Sequence, residues 1–404
     1  MPRILILGAG FAGLWAAIGA ARKLDELGKA AEILVIDRNP YHNIRVRNYE
    51  VELNDCALPL AELLDPIGVR HLTAEVCAID SVGRNVTIKA NGVPEIINYD
   101  RAVLTLGSEL VRPAIPGLAP HGFDVDTYAA AVRLNDHLAA LSRLEPSADC
   151  STVVVVGAGF TGIEVATEMP GKLAHAGIAN PRVILIDPNP VVGATIGEAG
   201  RPVVNQALSA LGVETRLGVR VAEVGKDGIT LSGGEFIPTR TVVWCAGMEA
   251  SPLTATLAGE RDRYGRLAVD RFMQAKDLQN VFAAGDAAVC KMGGAHATVM
   301  SCQFARPMGR FAGHNVVADV FGESMLPLDI DWYVTVLDLG AWGALYTVGW
   351  DRQVSAVGAA AKATKQIINH DRIYPPRTGR REDLFAAAAP TVQAPPPVRA
   401  HPPE

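Results

Sequence analysis

Continuous apolar runs along this chain are broken by glycine-rich turns, and one such arrangement occurs twice. Residues 4–7 (Ile-Leu-Ile-Leu) lead into Gly8-Ala9-Gly10-Phe11-Ala12-Gly13 and an alanine-rich helical stretch to about residue 27. Residues 153–156, four valines, lead into Gly157-Ala158-Gly159-Phe160-Thr161-Gly162 and a second helix opening at Ile163. Each block returns to an apolar run ending in an acid, Ile33-Leu34-Val35-Ile36-Asp37 and Val183-Ile184-Leu185-Ile186-Asp187. An apolar run without polar alternation suits a parallel strand covered on both faces. The pattern therefore predicts an α/β fold with two Rossmann-like, three-layer βαβ units.

The remaining pattern is less regular. Residues 86–97 and 102–106 read as strands and 129–144 as an amphipathic helix. Residues 225–237 read as a glycine-punctuated hairpin, with strands at 241–245 and 280–284, the latter ending at Gly285-Asp286. Pro170 is expected to end or kink the second glycine-led helix, because it has no N–H and its ring crowds the preceding turn. Residues 331–350 suggest two strands about a turn near Gly340, followed by a helix over 355–369, which makes a small C-terminal α+β region. The Ala/Pro-rich segment 386–404 has little to bury and reads as a disordered tail.

Composition narrows the function classes. In 404 residues, 49% are hydrophobic and 20% charged, enough apolar material for packed cores. The net charge of −6 lacks the basic excess of a nucleic-acid binder. No apolar run approaches the roughly 18 uncharged residues of a membrane-spanning helix, and the N-terminal run stops at Gly8, so a cytoplasmic protein is expected. The six cysteines show no CxxC spacing, which removes both a zinc ribbon and a vicinal redox dithiol; no metal site is expected. Cys302 reads as a packing residue.

In a GxGxxG turn between a buried strand and a helix, the first glycine allows the tight turn. The second lets a pyrophosphate approach the backbone, and the third lets helix and strand close together. The phosphate then rests on the helix N-terminus. From first glycine to acid the two spacings are 29 and 30 residues, which places Asp37 and Asp187 to accept from a ribose diol. A carboxylate at Asp187 also repels a 2′-phosphate, so NADH is favoured over NADPH.

The order of Gly8-x-Gly10-x-x-Gly13, Thr105-Leu106-Gly107, Gly157-x-Gly159-x-x-Gly162, Trp244-Cys245-Ala246-Gly247 and Ala284-Gly285-Asp286 resembles the two-dinucleotide-binding flavoprotein superfamily. Within it the chain is most similar to the type II NADH dehydrogenases (NADH:quinone oxidoreductases) of the pyridine nucleotide-disulfide oxidoreductase family. The resemblance covers residues 3–320 well. It implies FAD at Gly8, Gly10, Phe11, Ala12, Gly13, Asp37, Val76, Thr105, Gly107, Gly285 and Asp286, and NADH at Gly157, Gly159, Gly162, Asp187 and Gly247. It implies an FAD domain over 1–120 and 251–325, an inserted NADH domain over 121–250, a cap over 326–385 and the tail 386–404. Glu164, in Thr161-Gly162-Ile163-Glu164, is implied to reach the nicotinamide and flavin edge, and Gln303 to line the acceptor pocket; these two are the candidate catalytic residues.

On the acceptor side the chain departs from the family. The second glutamine of the helix after Gly-Asp is replaced by Pro307-Met308, and Tyr41-His42 is followed by Arg45 and Arg47. These arginines read either as a solvated face or as selecting an anionic acceptor. Lys362 and Lys365 read as a solvated face, and Trp332, Trp342 and Trp350 as core of the last sheet or a wall over the flavin. The expected function is hydride removal from NADH with two electrons passed to a quinone or other small-molecule acceptor. A reductase of a specific metabolite or protein partner stays open, as do peripheral contact at the inner membrane face and a homodimer. A non-catalytic nucleotide sensor is the third reading.

Overall fold

The computed structural model describes residues 1–292 and 296–398. The first apolar runs form the centre of a parallel sheet whose order is Val281–Ala283, Arg101–Leu104, Arg3–Leu7, Glu32–Asp37, Arg70–Thr73. Ile4, Leu5, Ile6 and Leu7 are fully buried, as expected of a strand covered on both faces. The second unit repeats the plan with Gly122–Phe123, Thr241–Trp244, Thr152–Val156, Arg182–Asp187 and Val213–Leu217, again all parallel. The edge strand Val281–Ala283 follows the whole second unit in sequence, so the chain leaves the first sheet and returns to finish it. The outgoing strand Ser108–Leu110 pairs antiparallel with the returning strand Met248–Ala250.

Helix Phe11–Leu27 lies against helix Cys302–Phe321 with the backbones nearly touching. A Cβ on Gly309 would collide with the carbonyl of Ala12, and one on Gly313 with that of Ala16. Glycine at these two positions lets the long helix press its N-terminus towards the first glycine loop.

Three sequence expectations change. Helix Phe160–His175 does not end at Pro170 but runs on to His175, although Pro170 has no N–H for the carbonyl four residues back. The C-terminal sheet has three antiparallel strands, Val334–Asp338, Ala344–Val348 and Gln353–Val357, so residues 355–357 are strand and the helix is Gly358–Ile367. The segment from 386 to 398, expected to be disordered, is laid along the protein instead; residues 399–404 of that expectation lie outside the described residues. Its first two residues close helix Arg381–Ala387 and Ala388 is buried. Tyr346 Oη donates to the Pro396 carbonyl (2.7 Å) and Thr364 Oγ1 to that of Pro397 (3.2 Å). Alanine and proline lose little side-chain entropy on ordering, so a few backbone contacts hold such a segment.

No helix among the described residues is long and apolar enough to cross a membrane, and no cluster of three or more metal-ligating side chains occurs among them.

Candidate active site

The two glycine loops have matching geometry. Gly8 and Gly157 take left-handed φ values of 99° and 106°, and side chains there would strike Thr105 and Ala246. Cβ atoms on Gly13 and Gly162 would overlap the carbonyls of Gly8 and Gly157. These four glycines are required by the chain itself. Gly10 and Gly159 differ: their φ values of −66° and −79° are open to any residue, and an added Cβ would meet nothing within 4 Å. Nothing in the polypeptide demands glycine there, whereas a pyrophosphate lying against the backbone does. Both loops fit a dinucleotide.

The acids close the loops in the same way. Asp37 Oδ2 accepts from Ala9 N–H (2.7 Å) and Oδ1 from Asn39 N–H (2.7 Å). Asp187 Oδ2 accepts from Ala158 N–H (2.6 Å) and Oδ1 from Asn189 N–H (2.7 Å). Each carboxylate is thus oriented by its loop and keeps lone pairs for a ribose. Burial pushes the Asp37 carboxyl above its usual range, against the lowering effect of these N–H donors. Arg182, the cation next to the second strand, is held by Glu214 at 2.7 Å and so is engaged away from Asp187.

His42 pins the first loop from below. Its Nδ1 lies 2.8 Å from the Ala9 carbonyl, and because a carbonyl only accepts, Nδ1 carries the proton. Burial lowers its pKa to about 4, so the ring is neutral and Nε2 is left without a partner. Phe11 meets the same ring edge-on at 5.2 Å.

A cleft of 1440 Å³ opens from this loop, larger than the roughly 300–1,000 Å³ of a single drug-sized ligand site. Gly8, Gly10, Phe11, Ala12, Asp37, Val76, Thr105, Gly107, Gly285 and Asp286 all line it, as do Glu164 and Gln303. Gly13 is packed beneath the loop. Gly157, Gly159, Gly162, Asp187 and Gly247 lie outside the cleft wall; the second unit reaches it through Phe160, Thr161, Glu164, Trp244 and Cys245. Asp286 is oriented by Ser108, whose hydroxyl donates to it (2.8 Å). Arg45 stands beside both: it donates to Ser108 Oγ (2.9 Å), is bound to Asp126 and lies 3.9 Å from Asp286.

The solvated-face reading of the basic residues does not hold. Arg45 lines the cleft, and Arg47 is 4% exposed, bonded to Glu50 (2.8 Å) and to the Tyr374 hydroxyl (2.5 Å). Lys365 is buried and donates to Glu164 Oε1 at 2.8 Å; Lys362 bonds Asp338 at 2.5 Å. Asp338 in turn accepts from the Tyr49 hydroxyl (3.0 Å), and its N–H donates to Glu164 (3.1 Å). Burial raises the Glu164 carboxyl above its usual range, with Lys365 pulling the other way. For Lys365, burial acts to lower the pKa, and the neighbouring Glu164 and Asp338 more than reverse it. The alternation of alanine and lysine over 358–367 reads as solvent-facing, and only the fold shows which lysines turn inward. Glu168, one turn further along the helix, lies outside the cleft lining, its carboxyl raised by burial.

Gln303, which lines the same cleft as Glu164, stands in the first turn of Cys302–Phe321, and its amide nitrogen is buried without a hydrogen-bond partner. Pro307 has no N–H to give the Gln303 carbonyl. Gln303 is therefore half-buried at the cleft wall, with its amide nitrogen enclosed and unengaged. Cys302 and Cys245 also face the cleft, and burial raises both thiols above their usual range. Protonated and unpaired, they suit packing better than thiol chemistry. Of the three late tryptophans, Trp332 lines the cleft, while Trp350 stacks on Tyr333 at 4.5 Å and on His296 at 4.3 Å.

Residues 2–309 match the model of a family described as pyridine nucleotide-disulphide oxidoreductase. An NADH dehydrogenase-like protein of Mycobacterium tuberculosis is 55% identical over 401 residues, covering 97% of this chain and 99% of that protein. A type II NADH:quinone oxidoreductase of the same organism is 32% identical over 316 residues, 70% of this chain and 66% of its own. Among solved structures, NDH2 from Plasmodium falciparum in complex with NADH aligns with a TM-score of 0.76, 13% identity, and coverage of 96% of this chain and 97% of that one. At that identity the likeness is one of fold.

Proposed function

Because this chain belongs to the pyridine nucleotide-disulphide oxidoreductase family and is a flavoprotein oxidoreductase of the NADH dehydrogenase-like kind, we propose that it binds FAD in the first glycine loop, oxidises NADH bound at the second, and passes two electrons to a quinone-like acceptor. The observation that carries this reading is the single cleft into which one unit sends Gln303 and the other Glu164, between two loops that each keep a glycine for a ligand alone. When bound, the flavin accepts a hydride from the nicotinamide and releases electrons to the acceptor.

The chain's own part is to place and polarise. The helix N-termini behind Gly10 and Gly159 receive the pyrophosphates, and Asp37 and Asp187 receive the ribose hydroxyls. Ser108 and Arg45 fix the Asp286 carboxylate, whose remaining oxygen valence serves a hydroxyl-bearing chain. Gln303 brings an amide N–H₂ with no other partner. Glu164 and Lys365 place an ion pair at the cleft wall, where exclusion of water makes it electrostatically effective. On this reading the enzyme works in the cytoplasm or peripherally at the inner membrane face, where it meets a quinone-like acceptor.

The test is anaerobic mixing of the purified yellow holoprotein with NADH. The flavin absorbance is expected to bleach within one turnover and to return on addition of a short-chain quinone. A flavin that NADH leaves oxidised would overturn the proposal.

A further inference from the structure

The cleft continues beyond Gln303 along the same helix face. Gln303, Arg306 and Arg310 are spaced i, i+3 and i+7, and at 1.5 Å per residue the last stands about 10 Å along the axis from the first. Arg306, Arg310 and Arg372 line the inner end of the cleft, and the same three border an adjoining cavity of 560 Å³. Backbone of the C-terminal segment roofs them: Arg310 donates to the Thr391 carbonyl (3.4 Å) and Arg372 to that of Ala394.

These cations differ from most other buried ones among the described residues; Lys172 also lacks a carboxylate but donates to the Asn135 amide oxygen (2.8 Å). Arg47, Arg266 and Lys365, similarly buried, each hold a carboxylate at 2.7–2.8 Å. Arg306 and Arg310 are 7% and 2% exposed, yet among the described residues no carboxylate pairs with either, nor with Arg372. The Nε of Arg306, and the Nε and Nη2 of Arg310, are buried without any hydrogen-bond partner. Both guanidiniums lie over the Trp15 ring, at 5.2 and 4.5 Å, which offsets only part of the desolvation of an unpaired charge. Two carboxylates border the adjoining cavity: Asp55 is taken by Arg377 at 3.0 Å, and Asp371 is exposed and forms no ion pair with these three arginines. Burial lowers both, Arg306 to about 10 with Cys302 opposing and Arg372 adding repulsion, and Arg310 to about 9 with repulsion from Arg306 and Arg372, so both are still charged at neutral pH.

We infer that this end of the cleft binds the anionic group, a carboxylate or phosphate, of an aromatic electron acceptor whose redox ring lies at Gln303. The inference rests on the electron-transfer reading above and names the acceptor class for that same site. NADH gives up a hydride, and the quinone ring gains two electrons and two protons, the second proton coming from water. A neutral prenyl chain laid along this wall would leave three guanidiniums unneutralised. An acid one to two helical turns from the ring satisfies them.

The experiment titrates the oxidised holoprotein with 1-hydroxy-2-naphthoate, an aromatic acid that cannot take the electrons, and with uncharged 1-naphthol, reading the perturbed flavin spectrum. Binding of the naphthoate is expected to be at least tenfold tighter, and Arg310→Gln and Arg372→Gln are each expected to cut that preference threefold or more with 1-naphthol unaffected. Equal affinities in the unaltered protein, a comparison that needs no variant to fold, would overturn the inference. So would a preference that survives both substitutions. NADH bleaching of the same sample is scored separately: its absence refutes the electron-transfer reading, while its presence with equal affinities refutes the anion site alone.

Discussion

The two glycine loops of this chain are nearly superimposable in their internal geometry and unlike in their surroundings. Both place a left-handed glycine under a strand-to-helix turn, both tie an acid to the loop N–H at 2.6–2.7 Å, and both leave the middle glycine facing open space. The first loop, however, is the floor of a deep cleft whose walls come from several distant segments, and its helix is locked backbone to backbone against Cys302–Phe321. The glycines of the second loop and Asp187 lie outside that cleft, and only the first turn of its helix enters. On the proposed reading the same cradle serves a resident cofactor in one unit and an exchanging one in the other, and the difference lies in how much unrelated chain closes over it.

The sharpest way to break the comparison is to fill each middle glycine in turn. Gly10→Val is expected to give folded but colourless protein, because the β-carbon meets no protein atom and only the ligand is displaced. Gly159→Val is expected to stay yellow and to need at least tenfold more NADH for half-maximal flavin bleaching. Flavin content by absorbance and the NADH dependence of bleaching read the two outcomes. Loss of flavin from both variants, or from neither, would show that the loops do not divide the cofactors in this way.

The two loops were legible in the sequence because their causes are local. A continuous apolar strand, three glycines at fixed spacing and a strand-end acid each act within one βαβ unit. The basic residues were not legible. Lys362 and Lys365 look solvent-facing in their own segment, and their partners Asp338 and Glu164 show as such only once the C-terminal sheet docks on helix Phe160–His175; Arg47 has its partner Glu50 three residues on, and what the pattern hides is its burial. Proline and alanine after residue 386 signal a lack of core, but not the row of backbone carbonyls that the cap's hydroxyls and arginines use. Local pattern finds the cradles, whereas tertiary closure makes the wall between them.

That wall gives the next largest effect. Removing one partner of a buried ion pair costs about 3–5 kcal/mol, and Lys365→Met leaves Glu164 buried without its cation. The Glu164 carboxyl, already raised by burial, then rises further. Since the folded state would bind that proton more tightly than the unfolded one, stability is lost as pH rises through the folded value and recovers towards the ordinary carboxyl range. Thermal melts are expected to show a large deficit at pH 8 that narrows at pH 5, and Lys365→Met with Glu164→Gln should recover part of it. A deficit independent of pH would mean that the lysine acts through packing.

A smaller effect sharpens the second loop. Asp187→Ala with Asn189→Arg removes a ribose acceptor and supplies a phosphate partner. Hydrogen bonds to charged groups contribute about 1.5–3 kcal/mol, so the ratio of kcat/KM for NADPH over NADH should rise by roughly 10–150-fold. Flavin content should not change, because Asp187 lies outside the cleft. An unmoved ratio would mean that this strand end does not read the adenosine ribose.

The smallest effect concerns the strap that closes the cleft but touches neither loop. Tyr346→Phe deletes one hydrogen bond to the Pro396 carbonyl, about 0.5–1.5 kcal/mol. The tyrosine ring is buried in the C-terminal sheet and fills the same space as phenylalanine, so the cap itself should hold. The loss should appear as faster proteolytic cleavage and faster amide exchange over residues 391–398, with flavin content and NADH bleaching unchanged. If the strap instead stays fully protected, its position is set by contacts further along the segment, such as Thr364 with Pro397 and Arg372 with Ala394. Closure over the first loop would then be a property of the whole strap, with no single hydroxyl as its anchor.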